Sequence, residues 1–334
     1  MSNTILTHYA KKLELAKKAD KFLAEIIQES GFAPEKEIWR GLILGDNKKA
    51  GSVIYIGKYK GGPAILKIQH LKPVVNEPEI IRLFYKNSKS QKVFVPRVFF
   101  EGPWGKKRGY GYFISELILG RRILGRQEFC RFYEEYKTKI KIRPGWWAMK
   151  AEERDVVTFN LKRLESWLKI VQTSKMLKPS FYQPKIELYK KILKKYGSHQ
   201  PMEFMHGHLS PHDIIKTPSG KYYLMSNFLW SYRPQWYDLA FNLWVHINDL
   251  PEISYNELDD YIENWLVAYK STKMVRKDKY FERYFWLNLL ERALGSILVD
   301  FGSVKYPAEK RKMVRVNFER WKYIFNKAGE KAQF

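Results

Sequence analysis

The spacing of apolar residues divides the chain in two. Between residues 8 and 28, Leu13, Ala16, Ala19, Leu23, Ile26 and Ile27 recur at three- and four-residue steps with lysines between them, which predicts an amphipathic helix. Strand-like runs then take over: Ile38 to Leu44, Val53 to Ile56 and Ala64 to Gln69 predict three strands, with turn signals at Gly45-Asp46-Asn47 and Gly61-Gly62-Pro63. Glu77 to Tyr85 predicts a helix that accommodates Pro78 in its first turn, and Val93 to Glu101 and Tyr110 to Leu117 predict two further strands. Beyond Gly120, helical spacing covers 126–136, 151–176, 184–195, 236–248, 254–270, 277–300 and 307–328. One β-type patch, Met202 to Phe228, interrupts it. The expected architecture is α+β and bilobal: residues 1–116 carry a small antiparallel sheet, 117–334 are mainly helical, and a hinge lies near Glu116 to Gly120.

Composition narrows this picture. With 45% apolar and 16% aromatic residues in 334, the chain can bury a sizeable core, which excludes wholesale disorder. Sixty Lys plus Arg against thirty-five Asp plus Glu leave a net charge of +25, which favours anionic partners such as nucleotides, nucleic acid or phospholipid surfaces. The single cysteine, Cys130, excludes an internal disulfide and a Cys-based zinc site and suits a reducing compartment. The longest apolar run, Tyr284 to Val299, is broken by Asn288, Glu291 and Arg292, and the first twenty residues lack the apolar centre of a secretory signal. The expectation is a soluble, cytoplasmic protein with no membrane span.

Candidate chemistry concentrates in FMHGHLSPHDIIKTPSGKYYLMSNFLWSYRPQWYDLA, residues 204–240, where His206, His208 and His212 stand beside Asp213. Gly207 and Pro211 break any helix that would align three imidazoles on a metal, and no spacing matches a zinc site. The order His-Gly-x-Leu-x-Pro-x-x-Ile, then a strand–turn–strand, then Tyr-Asp-Leu-Ala instead resembles the aminoglycoside phosphotransferase and choline kinase family, whose loop reads H-G-D-L-x-x-x-N-I. His206, Gly207, Leu209, Ile214 and Tyr237-Asp238-Leu239-Ala240 carry the match. The resemblance extends outward in order. Lys67 in AILKI falls at the family's phosphate-binding lysine, Glu77 at its partner glutamate (Glu79 competes for the same role), and Phe113 to Leu117 at the adenine-holding hinge, with Glu116 and Leu117 as cofactor-binding positions. It implies a protein-kinase-like fold, ATP and Mg2+ as cofactors, a nucleotide and an unidentified small-molecule hydroxyl as partners, and His206 and Asp238 as structural supports of the loop.

Three chemical positions depart from the family. His208 stands where the catalytic Asp would be, Asp213 replaces the metal-ligating Asn, and Asn227 (or, by the shortened spacing, Ser226) replaces the metal-bridging Asp. Two readings follow. Asp213 and Asn227 exchange roles as oxygen ligands of Mg2+, and His208 acts as general base. Alternatively, the loop has lost phosphoryl transfer and the protein is a pseudokinase, binding nucleotide or another ligand as a regulatory module.

Three segments bear on partners. Gly45 to Gly51 reads either as a phosphate cover or as a plain hairpin turn. Lys137 to Lys150, with five basic residues and Trp146-Trp147, could grip nucleic acid, although a solvated segment explains it as well. The acidic run Asp249, Glu252, Glu257, Asp259, Asp260 and Glu263 would suit a cationic substrate, but Ser254 with Glu257 reads as a helix capping box.

Overall fold

The computed structural model describes residues 22–45, 48–69, 75–142 and 155–333. Most of the expected N-terminal helix, Trp146-Trp147 and the side chains of the Gly45–Gly51 segment lie outside the described residues. Contacts divide the chain into two compact units, 1–121 with 215–228, and 122–214 with 229–334. The sequence pattern instead breaks the chain at 116/117 and leaves 215–228 with the second lobe.

The first unit is built on a five-stranded antiparallel sheet in the order β1-β2-β3-β6-β5: β1 (Ala33–Gly45), β2 (Lys48–Tyr59), β3 (Gly62–Gln69), β6 (Tyr110–Glu116) and β5 (Val98–Gly105). Residues alternate between the faces of a strand. On β3, Ala64, Leu66 and Ile68 therefore pack with Val53, Tyr110, Tyr112 and Ile114, and helix α1 (residues 22–30) adds Phe22, Leu23 and Ile26 to the same core. Each fully buried aliphatic side chain contributes about 1.5–3 kcal/mol. Lys67 projects from the opposite face.

Helix α2 (Glu77–Asn87) follows, with the Asn76 side chain accepting the Glu79 N–H at its start and Pro78 in its first turn. The expected strand Val93–Glu101 is broken by Pro96, which has no N–H to give a ladder. Its first part, β4 (Val93–Phe94), pairs in parallel with β10 (Tyr222–Leu224), and β9 (Ile214–Lys216) and β7 (Arg121–Arg122) complete a second sheet in the order β4-β10-β9-β7. This pairing takes 215–228 into the first unit.

The second unit is helical, apart from the antiparallel pair β8 (Met202–Met205) and β11 (Ser231–Pro234). Its helices are α3 (Arg126–Lys139), α4 (Val156–Ser174), α5 (Pro179–Tyr196), α6 (Tyr237–Asn248), α7 (Tyr255–Ser271), α8 (Lys273–Lys277), α9 (Phe281–Gly295) and α10 (Arg311–Lys331). Almost every residue of α9 is buried, against α4, α5, α6 and α10. The expected helix over 277–300 widens into a π-turn at Ser296–Asp300. Helix α7 opens with the capping box that Ser254 and Glu257 announce. Arg320 of α10 donates to the carbonyls of Ile247 and Pro251, tying α10 to the segment where α6 ends. Among the described residues, no helix is long and apolar enough to cross a membrane.

Candidate active site

In the first unit the inward step of β3 and the first turn of α2 bring Lys67 and Glu77 together as a buried ion pair between Nζ and Oε2. The other carboxylate oxygen, Oε1, accepts the backbone N–H of Asn227 at 3.0 Å. Glu79 is not the partner of Lys67; it lies one helical step away with its N–H on the Asn76 cap. Phe228 places its ring centroid 4.2 Å from Lys67 Nζ, and Phe113, opposite Lys67 in the β3–β6 register, lies at 5.8 Å. Taking both charges out of water is costly, so the arrangement persists because each oxygen of the carboxylate is engaged and the cation also lies over aromatic faces. Asn227 reaches this point through a turn in which Ser226 has φ +54°, and its Nδ2 donates to the Leu224 carbonyl at 2.9 Å.

In the second unit the loop leaving β8 is held from below by Asp238, at the N-terminus of α6. Asp238 is fully buried; its Oδ1 accepts the Gly207 N–H at 2.9 Å and its Oδ2 accepts from the Tyr136 hydroxyl at 3.3 Å. That hydroxyl in turn accepts the His206 N–H at 2.9 Å. Burial pushes the Asp238 carboxyl up to about 6, against the opposing pull of Lys137 and of these donors. His206 is buried, edge-on to Trp230. Gly207 sits at φ +70°, a conformation that favours glycine, and a Cβ there would meet Arg233 Nε at 3.1 Å and Ser231 Oγ at 3.2 Å, so both side chains would have to give way.

The loop then turns outward. Ser210 caps a short 3-10 turn, Pro211–Asp213, by accepting the His212 N–H, and Pro211 suits the first position because it has no N–H to satisfy. This turn brings Asp213 back beside His208, with Nδ1 to Oδ2 at 2.9 Å, and Ser210 Oγ donates to the same oxygen at 2.5 Å. Burial alone would raise the Asp213 carboxyl, but the hydrogen bond and charge of His208, the charge of His206 and the Ser210 hydroxyl hold it at about 2. The His208 side chain is 42% exposed and its ring centroid lies 4.3 Å from that of Phe241.

No family model matches the sequence, and no curated protein does. Solved structures do match in fold. Amicoumacin kinase, solved with AMP-PNP, Ca2+ and Ami, is 15% identical at a TM-score of 0.57, covering 93% of this chain and 95% of its own. An ethanolamine kinase of Plasmodium vivax is 12% identical at 0.56, covering 89% and 84%. A thermostable mutant of the aminoglycoside phosphotransferase APH(4)-Ia, with ADP and hygromycin B, is 10% identical at 0.54, covering 91% and 97%. The chain has the kinase-like fold of the aminoglycoside phosphotransferases.

Within the phosphotransferase fold, Glu116 ends β6, exchanging backbone and side-chain hydrogen bonds with Arg97, and Leu117 follows it half-buried. Among the described residues no three His, Cys, Asp or Glu side chains cluster as a metal site. Each unit carries one oxygen donor of the kind Mg2+ takes, the Asp213 carboxylate in the second and the Asn227 side-chain amide in the first.

Several contributors were not singled out in the sequence. Ser210 had a signal in Ser-Pro-x-Asp, an N-cap followed by proline. Tyr136 and Phe241 had none, because each joins the site through tertiary contact alone.

Proposed function

We propose that this protein is an ATP-dependent phosphotransferase acting on the hydroxyl of a small molecule. The observation that carries the reading is the Lys67–Glu77 pair tied to the Asn227 backbone: a lysine held on a rigid strand with its carboxylate already satisfied on both oxygens. Such a lysine is placed to meet phosphate oxygens, and the nucleotide's negative charge would offset the cost of its burial. Glu116 and Leu117 supply the segment against which the adenine rests. Asp213 and Asn227 would each offer an oxygen to Mg2+, which when bound neutralises charge on the phosphates.

His208 is the general base. Phosphoryl transfer needs little covalent help from the protein, so positioning the acceptor and removing its proton are what the loop must supply. An imidazole with a free ring nitrogen suits the second task. Asp238 and His206 brace the loop and do not touch substrate.

What favours this reading over a pseudokinase is the His208–Asp213 contact, which holds a partly exposed imidazole against a buried carboxylate. The test is transfer of labelled phosphate from ATP to a panel of amino alcohols, aminoglycosides and sugars, by wild type and by His208→Ala. Labelled acceptor formed by wild type and lost in the variant supports the assignment. Turnover unchanged in His208→Ala removes His208 as the base.

A further inference from the structure

We propose that Asp213 is the positioning residue of His208, fixing which ring nitrogen does the chemistry; this rests on the reading of His208 as base. An aspartate carboxylate is ordinarily ionised at neutral pH and can then only accept hydrogen bonds. Asp213 Oδ2 lies 2.9 Å from His208 Nδ1, so Nδ1 must carry the proton. The neutral ring therefore has its lone pair on Nε2. No described residue is hydrogen-bonded to that atom, and the side chain is 42% exposed.

Three further contacts make the pairing directional. Ser210 donates to the same Oδ2 oxygen, so the carboxylate cannot rotate away without losing two donors. The Asp213 backbone N–H returns to the Ser210 carbonyl at 3.0 Å, which holds the carboxylate on its turn. The Phe241 ring backs the imidazole at a centroid distance of 4.3 Å. The two substitutions in the loop are thus one unit: a histidine at 208 is a competent base because residue 213 is a carboxylate.

In the step this serves, Nε2 takes the proton of the acceptor hydroxyl as its oxygen attacks the γ-phosphorus. The bond from that phosphorus to the β–γ bridging oxygen breaks, and ADP leaves. The imidazolium that forms is stabilised by Asp213 across the Nδ1–H bond, which is kept, and the Nε2 proton then passes to water.

The test is the tautomer of His208, read from 15N shifts and long-range 1H–15N couplings of the histidine-labelled full chain at alkaline pH. His208 is assigned by its absence in His208→Gln. Wild type should show the Nδ1–H form, and Ser210→Ala should keep it. In Asp213→Asn the side chain can offer an N–H to Nδ1, so the ring should move toward the Nε2–H form while kcat falls by about 10²- to 10⁴-fold. An Nε2–H ring in wild type overturns the proposal, as does Asp213→Asn with tautomer and kcat unchanged. The tautomer is read without substrate, so its failure is distinguishable from failure of the phosphotransferase reading, and the wild-type measurement stands even if Asp213→Asn does not fold.

Discussion

Glu77 accepts the backbone N–H of Asn227, 150 residues further along the chain, at 3.0 Å, while its second oxygen holds Lys67. Helix α2 is thereby locked to the turn that follows β10, and one carboxylate engages both Lys67 and Asn227.

Breaking that pair from one side leaves a charge buried without its partner. Lys67→Met and Glu77→Gln should each destabilise the protein by about 3–5 kcal/mol, and the double variant by less than the sum. Chemical denaturation of the four proteins checks this; fully additive losses would mean that the two side chains act independently.

Gly207→Ala forces a side chain into a left-handed backbone against Arg233 and Ser231. A cost of about 1–3 kcal/mol is expected, with a fall in turnover because the strain lies one residue from His208. A thermal midpoint within error of wild type would contradict the tight fit at that position.

Asp238 gives a pH signature. Its folded carboxyl titrates at about 6, above the usual value near 4 for an unfolded aspartate, so the folded state holds its proton more tightly. The stabilising contribution is present below about pH 4 and is lost as pH rises to about 6, a change on the order of 2–3 kcal/mol. Asp238→Asn keeps an oxygen for Gly207 without the ionisation. Wild type should therefore lose stability relative to this variant between pH 4 and 6.5, and a pH-independent difference would contradict the shift.

His246 runs in the opposite sense. Burial lowers its imidazole to about 4, with His212 and Arg126 adding to burial and Asp249 opposing it. The folded state thus holds this ring neutral, and stability tied to it is present above about pH 6.5 and lost as pH falls toward 4. His246→Phe should flatten acid destabilisation over that window in denaturation curves; an unchanged slope would remove His246 as a contributor.

Much of this arrangement is legible in the sequence. The alternation in AILKI separates Leu66 and Ile68 from Lys67, and the order of His206, Gly207, Leu209 and Tyr237 to Ala240 marks the loop and its brace. What is not legible depends on contacts between distant segments. Residues 215–228 read as part of the helical lobe because nothing in them shows that Tyr222 and Tyr223 will pair with Val93 and Phe94. Glu77 and Glu79 are equivalent on paper, and only the direction of the first turn of α2 selects Glu77. Asp213 reads as an oxygen donor by position, whereas its partnership with His208 requires the Ser210–Pro211 turn to fold the chain back by five residues.

The most direct test of nucleotide binding at Lys67 is thermal stability with AMP-PNP and a divalent cation, on wild type, Lys67→Met and His208→Ala. A ligand that binds only the folded state at a hundred times its dissociation constant adds about 2.7 kcal/mol, a rise of several degrees. The shift should appear in wild type and His208→Ala and vanish in Lys67→Met, each measured from its own baseline. A wild type that does not respond to millimolar nucleotide, or a Lys67→Met variant that responds equally, would contradict the account.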